Sequence, residues 1–354
     1  MYFDMHVHDR GGKEAYKGED ERHALVVAEK AGVDGIVVMP NTNPPVTTRE
    51  LVEEKLARAD EVGSKVFYGI YIGLTSDLKQ IDEAIKVCRD LFPRVPGMKI
   101  YMGRSVGDLA VTTENEQRRV FGRLGYGNYK GVLIIHAEEE SLLRQDLWDP
   151  RNPISHCRAR PPEAELEAIK RAVLYAMESE FRGWLHITHV STPEAVKYIN
   201  SIKRNLLGTE HCAFRGISCD ATPHHLFMYD KMMNLPGGIV LKVNPALRTR
   251  EQQQGLLQCL KEGLIDCIAT DSAPHSLQEK LQPPHLSGYP GLDKWPRIVK
   301  KLREGGLSQE LIDNLTFNNP VKILGLGGCV KKSENPEDLN LNEYSYGNEF
   351  WARL

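Results

Sequence analysis

Neither sign of charge dominates this sequence: 45 lysines and arginines stand against 48 aspartates and glutamates, a formal charge of −3 over 354 residues. A nucleic-acid binder would carry a basic excess, so that class is excluded. No run approaches the ~18 apolar residues of a membrane-spanning helix. Met1 to His6 show no basic stretch ahead of an apolar core, and no export signal is expected there. Cysteines are few: seven, at 88, 157, 212, 219, 259, 267 and 329, with no Cys-x-x-Cys spacing. That excludes a disulfide framework and a thiolate zinc knuckle, and points to reduced thiols in a cytoplasm. Low-complexity tracts are also missing. With 41% of residues apolar and 26% charged, the chain is too apolar for disorder. The length suggests two domains, although α/β barrels run this long as one.

What is present alternates. Short apolar runs begin near Tyr2, Gly35, Lys65, Met98, Val132, Trp184, Ile217 and Asp266, which makes eight. They are rich in β-branched and aromatic residues and mostly lack polar alternation, as strands buried on both faces should. Helical patterns lie between them. Glu50 to Val62 groups Leu51, Val52, Leu56, Ala59 and Val62 on one face. Pro162 to Met177 opens on proline and two glutamates, and Pro193 to Ile202 follows Ser191-Thr192, a good N-cap. Eight strand–helix repeats predict an α/β fold of the (β/α)8 TIM-type barrel, with an open doubly wound sheet as the alternative. The expected division is a barrel domain over 1–330 and a polar, turn-rich extension over 331–354 draped on its surface.

In such a barrel, function sits at the C-terminal ends of the strands. The unusual polar residues fall there. Strand one ends in His6-Val7-His8-Asp9-Arg10, and alternation lets both histidines meet one metal ion. Taken alone, Pro40-Asn41-Thr42-Asn43-Pro44 reads as a turn. Lys99 sits inside an apolar strand, where an unpaired ammonium is costly. It is either ion-paired or a depressed-pKa amine able to take up carbon dioxide as a metal-bridging carbamate. His136 and His189 end strands five and six, His224 and His225 follow strand seven, and Asp271 ends strand eight before His275. His186, at odd spacing from His189, is expected to face the other way. Of the twelve histidines only His23, His156, His211 and His285 lie apart from strand ends, and these are expected in loops or on the surface.

These residues resemble the amidohydrolase superfamily of metal-dependent barrels, and further motifs narrow the resemblance to the dihydroorotase family. They are HVHDR at 6–10, MPNTNPP at 39–45, MKIYMGRS at 98–105, IIHAE at 134–138 and HITHVS at 186–191, followed by DATPHHLF at 220–227, KVNPALR at 242–248, IDCIATDSAPHSLQEK at 265–280 and GYPGLD at 288–293. They run in the family's order over nearly the whole chain. Longer members add a small β-sandwich; this chain opens on strand one, so the accessory sandwich is expected to be absent or reduced. Asp9 stands where relatives have an apolar residue, and an acid there is expected to weaken anion binding by Arg10.

The resemblance implies the chemistry. His6, His8 and Asp271 hold one zinc ion, His136 and His189 the other, and carboxylated Lys99 bridges the two. Asp271 carries the proton. Arg10, Asn41 and His275 bind the carboxylate of the substrate, Asn244 and the backbone at Pro290 and Gly291 contact the ring, and Ser105 lies on a loop hinged at Gly103 and Gly107. The implied substrate is a small molecule, dihydroorotate or N-carbamoyl-L-aspartate, with no nucleic acid and no membrane as partner. A homodimer and an association with aspartate transcarbamoylase are the assemblies the resemblance allows. The rival readings are another cyclic amidase, of the hydantoinase or allantoinase type, and a non-catalytic subunit scaffolding aspartate transcarbamoylase.

Overall fold

A computed structural model describes residues 1–10, 20–333, 343–344 and 346–353. Eight strands run parallel: β1 (Tyr2–Val7), β2 (Val33–Val38), β3 (Phe67–Ile70, continued by Ile72–Gly73), β4 (Gly97–Tyr101), β5 (Val132–His136), β6 (Trp184–Ile187), β7 (Gly216–Ala221) and β8 (Cys267–Ile268). The first half of β3 pairs with β2 and the second half with β4, so β3 joins the two halves of the wall. A parallel bridge between Val7 and Ser272, with His8 N donating to Ser272 O at 2.8 Å, brings the chain beyond β8 against β1. Every described strand therefore belongs to one barrel wall.

A helix follows each strand: α1 (Glu21–Lys30), α2 (Arg49–Asp60), α3 (Leu78–Asp90), α4 (Glu114–Tyr126), α5 (Pro162–Glu178), α6 (Pro193–Asn205), α7 (Arg250–Lys261) and α8 (Trp295–Glu304). Their starts are chemically marked. Thr48, Thr113, Thr192 and Thr249 each accept a backbone N–H from the first turn, and Thr113 with Glu116 completes a capping box. Proline opens α5 and α6, where its missing N–H costs nothing.

Alternation sorts the strand residues. Met98, Ile100, Leu133, Ile135, Leu185 and Ile187 pack outward against the helices. Phe3, Met5, Val37, Val132, Ile134 and Cys267 face inward, where Phe317, Val321, Ile323, Leu324 and Leu326 plug the N-terminal mouth. In β1 the register slips between Asp4 and Val7. Before the slip, even-numbered Tyr2 and Asp4 turn outward to Trp295, by ring stacking at 5.3 Å and an Nε1–Oδ2 hydrogen bond of 3.0 Å. After it, even-numbered His6 and His8 face the inside while Val7 joins the outer core. A bulge of this kind re-aims side chains beside functional sites.

Near the C-terminus, Tyr344, Tyr346, Phe350 and Trp351 are buried. Tyr346 accepts the His275 N–H on its hydroxyl at 2.9 Å, and the Gly347 carbonyl accepts from Tyr289 at 2.6 Å. The aromatic end of the 331–354 stretch thus contacts His275 and Tyr289, and residues 334–342 lie outside the described residues.

Candidate metal centre

Each predicted ligand can be built from its strand. His6 and His8 leave the β1 bulge with Nε2 atoms 3.2 Å apart, and Asp271 Oδ1 lies 3.0 Å from one and 2.9 Å from the other. These are the three residues whose ligand atoms converge within 4.8 Å. The tautomer of His8 follows from its neighbours. Asn41 Nδ2 donates to the Val106 carbonyl at 2.9 Å, so Asn41 Oδ1 faces His8 Nδ1 at 2.8 Å and Nδ1 carries the hydrogen. Burial lowers the His8 imidazole to about 4, against the pull of Asp271, so the ring is neutral and Nε2 presents a lone pair. That lone pair faces a carboxylate oxygen. Burial alone would raise the Asp271 carboxyl, but its surroundings, His6 first, hold it well below the usual range, as an anion. Two acceptors at this distance need a cation between them, and the donor set suits a metal.

The second cluster repeats the logic. His136 Nε2 lies 3.0 Å from Glu138 Oε2, and Glu138 is held as a carboxylate, against its own burial, by Arg160 and His136. The proton of His136 is therefore on Nε2, and its Nδ1 lone pair points at His189 Nε2, 3.0 Å away. The His6 and His189 rings are 5.4 Å apart, so the clusters adjoin. His189 and Asp271 have φ of 44° and 48°, left-handed conformations that non-glycine residues seldom adopt. Strain of that kind collects at functional sites.

Lys99 is fully buried inside the barrel, with Thr188 Oγ1 at 3.3 Å and the Tyr101 ring centroid at 4.9 Å. Burial lowers its amine to about 7, partly offset by Asp271 and Asp220. Its charge is felt by His136, His189 and Asp271, so it lies near both clusters, although it does not line the cavity itself.

That cavity is small, about 30 Å³, and opens to solvent. Among the predicted residues, His6, His8, Arg10, Asn41, Ser105, His136, His189, Asn244 and Asp271 line it. Arg10, 1% exposed, donates NH1 to the Asn41 carbonyl at 3.0 Å, and its buried Nε has no partner among the described residues. The side chain of Asn41 serves first to orient His8. His275 lies beside the cavity with Nε2 on the Ser287 carbonyl at 2.9 Å. Pro290 and Gly291 are not in the lining; Ser287 and Gly288 take that place, and Gly291 N instead donates to Ser272 Oγ at 3.1 Å.

Other expectations are corrected. Asp9 does not face Arg10: it turns into the protein, with Lys55 Nζ at 2.6 Å and the Tyr68 hydroxyl at 2.5 Å. His186 does not face away from the barrel either. It points inside with Ser218 and Asp220, which lie at 2.7 and 2.9 Å, and Asp220 also takes the backbone N–H of His189 at 2.8 Å. His156 and His285 are buried, not surface residues. Sequence reasoning missed Glu138, Arg160 and Asp220 as supports of ligands. Glu138 and Asp220 lie in motifs and Arg160 in none, and only the fold shows what each touches. Tyr101 was legible, since it alternates with Lys99.

No protein-family model matches the chain. It is 32% identical to the dihydroorotase of Aeropyrum pernix over 326 residues, covering 92% of this chain and 69% of that protein. It is also 32% identical to the dihydroorotase of Halobacterium salinarum, covering 91% and 71%. Among solved structures, the L-hydantoinase of Arthrobacter aurescens superposes with a TM-score of 0.74 at 24% identity, over 92% of this chain and 71% of that one. The dihydroorotase of Saccharomyces cerevisiae, solved with 5-fluoroorotic acid, gives 0.69 at 20%, over 92% and 84%. At these identities the structural likeness speaks for the fold, which in both is the TIM-type barrel. With the fold, the curated relatives make this a metal-dependent barrel hydrolase of cyclic amides. The chain belongs to the dihydroorotase family.

Proposed function

We propose that this protein interconverts L-dihydroorotate and N-carbamoyl-L-aspartate, the ring-closing and ring-opening step of pyrimidine (UMP) biosynthesis. Arg10 carries the reading. A buried guanidinium with an unpartnered Nε, in the same cavity as both histidine clusters, suits a substrate whose ring bears a carboxylate. A hydantoin ring, neutral at its edge, has no use for it.

Membership of the family implies a metal cofactor. The finer reading is two zinc ions: His6, His8 and Asp271 would hold one, His136 and His189 the other, and N6-carboxylated Lys99 would supply a ligand to both. The His8 lone pair facing Asp271, and the His136 lone pair facing His189, support it. An amine lowered to about 7 is substantially unprotonated near neutrality, and an unprotonated amine can add carbon dioxide with release of a proton. When bound, the metal pair supplies Lewis acidity and a water acidic enough to be deprotonated near neutral pH. In this reading Asp271 would accept the proton of the attacking water and pass it to the leaving ring nitrogen. Arg10 holds the carboxylate, with His275 behind the wall at Ser287. Asn244 and Ser105, which line the same cavity, would contact the ring.

The reading extends to a barrel domain over 1–330 with 331–354 as its extension, to a cytoplasmic location, and to assembly as a homodimer or with aspartate transcarbamoylase. No described helix is long and apolar enough to cross a membrane. The test compares specificity constants for dihydroorotate, dihydrouracil and hydantoin, following ring opening in the ultraviolet. A charge-assisted hydrogen bond favours the carboxylated ring on the order of 10–100-fold, and Arg10→Met should remove that lead. Equal rates on all three would move the protein to the hydantoinase branch. Purified protein without metal and without activity would make it a scaffold.

A further inference from the structure

Asn244 closes one side of the cavity, and its amide is held from three directions. Oδ1 lies 3.1 Å from His156 Nε2 and 3.1 Å from Ser287 Oγ, while Nδ2 reaches Ser105 Oγ at 3.3 Å. The two ends of an amide have the same shape, so its orientation must follow from the chemistry of its partners. His156 Nε2 also lies 2.9 Å from the Val243 carbonyl. A carbonyl only accepts, so Nε2 carries the proton and can only donate. Lys242 Nζ, likewise a donor alone, lies 3.1 Å from Ser287 Oγ and 2.8 Å from the His285 carbonyl. With Lys242 occupying a lone pair of Ser287, the hydroxyl hydrogen is free to point at Asn244. Two donors then meet one atom of the amide, and that atom is the oxygen. A flipped amide would set its own N–H groups against both.

The parts that set this orientation are themselves fixed. His156 is 3% exposed and packs against Trp148 with ring centroids 5.5 Å apart. Lys242 Nζ lies over the same Trp148 ring at 5.1 Å. Burial first, and then the Lys242 and Arg160 cations, hold the His156 imidazole well below its usual range, so it keeps one proton.

We propose that His156, together with Lys242 acting through Ser287, is a positioning residue that locks Asn244 as a hydrogen-bond donor, so that this wall of the cavity selects a ring carbonyl over a ring N–H. The identity of the ring rests on the dihydroorotase reading; the lock does not.

Two measurements test it. The first needs no substrate: in histidine-15N-labelled protein, two-bond 1H–15N correlations should show His156 neutral and protonated on Nε2. A His156 that is charged, or protonated on Nδ1, overturns the lock whatever the activity. The second is a double-mutant cycle of His156→Phe and Asn244→Ala, read as KM for dihydroorotate and for N-carbamoyl-L-aspartate alongside kcat. One neutral hydrogen bond corresponds to between about twofold and tenfold, so each single variant should raise KM by that factor. In the Asn244→Ala background, His156→Phe should add nothing. Effects that multiply would overturn the proposal, because His156 would then act on the fold. His156→Gln, which keeps a donor, should restore KM. A protein inert toward dihydroorotate that still shows the Nε2–H tautomer would support the lock and sink the substrate reading.

Discussion

Lys99 and Asp271 meet the same low-polarity interior and respond in opposite directions. The lysine gives up charge, and the aspartate keeps it because imidazoles face it. A lysine with a folded pKa near 7 and an unfolded one near 10.5 binds fewer protons in the folded state between those values. The unfolded chain therefore holds more protons in that window, so the contribution of Lys99 to stability rises as pH goes from about 7 to about 10.5. In metal-free protein, Lys99→Met should flatten that part of the stability–pH curve and stabilise most at or below pH 7. Denaturant titrations at neutral and alkaline pH would show it; parallel curves for the two proteins would contradict it. For Asp271, replacement by Asn keeps the shape and one oxygen but loses the basic one. Turnover should fall by roughly 10²–10⁴-fold while the histidine clusters still bind metal, measured by steady-state kinetics with metal analysis.

At the scale of elements, the site depends on how β1 is anchored. Its C-terminal end alternates between cavity and interior: His8 and Arg10 go to the cavity, and Asp9 goes to a network of Glu21 on α1, Lys55 and Arg58 on α2, and Tyr68 on β3. The acid expected to weaken Arg10 instead ties its neighbour to two helices. Removing one partner of such a buried pair leaves a stranded charge, which costs about 3–5 kcal/mol. Lys55→Met should be destabilised by that much in urea, and Asp9→Leu combined with Lys55→Met should recover most of it. The loop after β4 is anchored differently. A Cβ at Gly103 would meet the Glu138 carbonyl, and Gly107 sits at φ 94°, so both ends of the loop require glycine. Thr113→Ala, which removes the capping box of α4, should cost about 1 kcal/mol in thermal unfolding and leave KM unchanged.

For the whole molecule, the clusters bring acceptors from β1, β5, β6 and β8 to one point at the open mouth of the barrel. Bound metal should therefore act as a staple across the fold. At one hundred times Kd, a ligand of the folded state alone adds about 2.7 kcal/mol per site. Chelation should lower Tm by several degrees and restoring the metal should raise it again, checked by scanning calorimetry. An unchanged Tm would mean that the clusters hold no ion. Much of this architecture was readable in advance. Strand count, helix starts and the six proposed ligands follow from local chemistry: apolar runs between caps, and polar residues where apolar ones should end. That information is carried by neighbours in the chain. What only the tertiary structure decided are contacts between residues far apart in sequence. Strict alternation from Tyr2 would have sent His6 outward, and the slip in β1 turned it in. Strict alternation from His186 would have sent His189 outward, and its left-handed backbone turned it back. His156, with nothing local to distinguish it, became the support of Asn244 because the chain between β5 and α5 folds against the segment after β7, 88 residues away. Local periodicity predicts which way a side chain starts. Only closing the barrel determines what it meets.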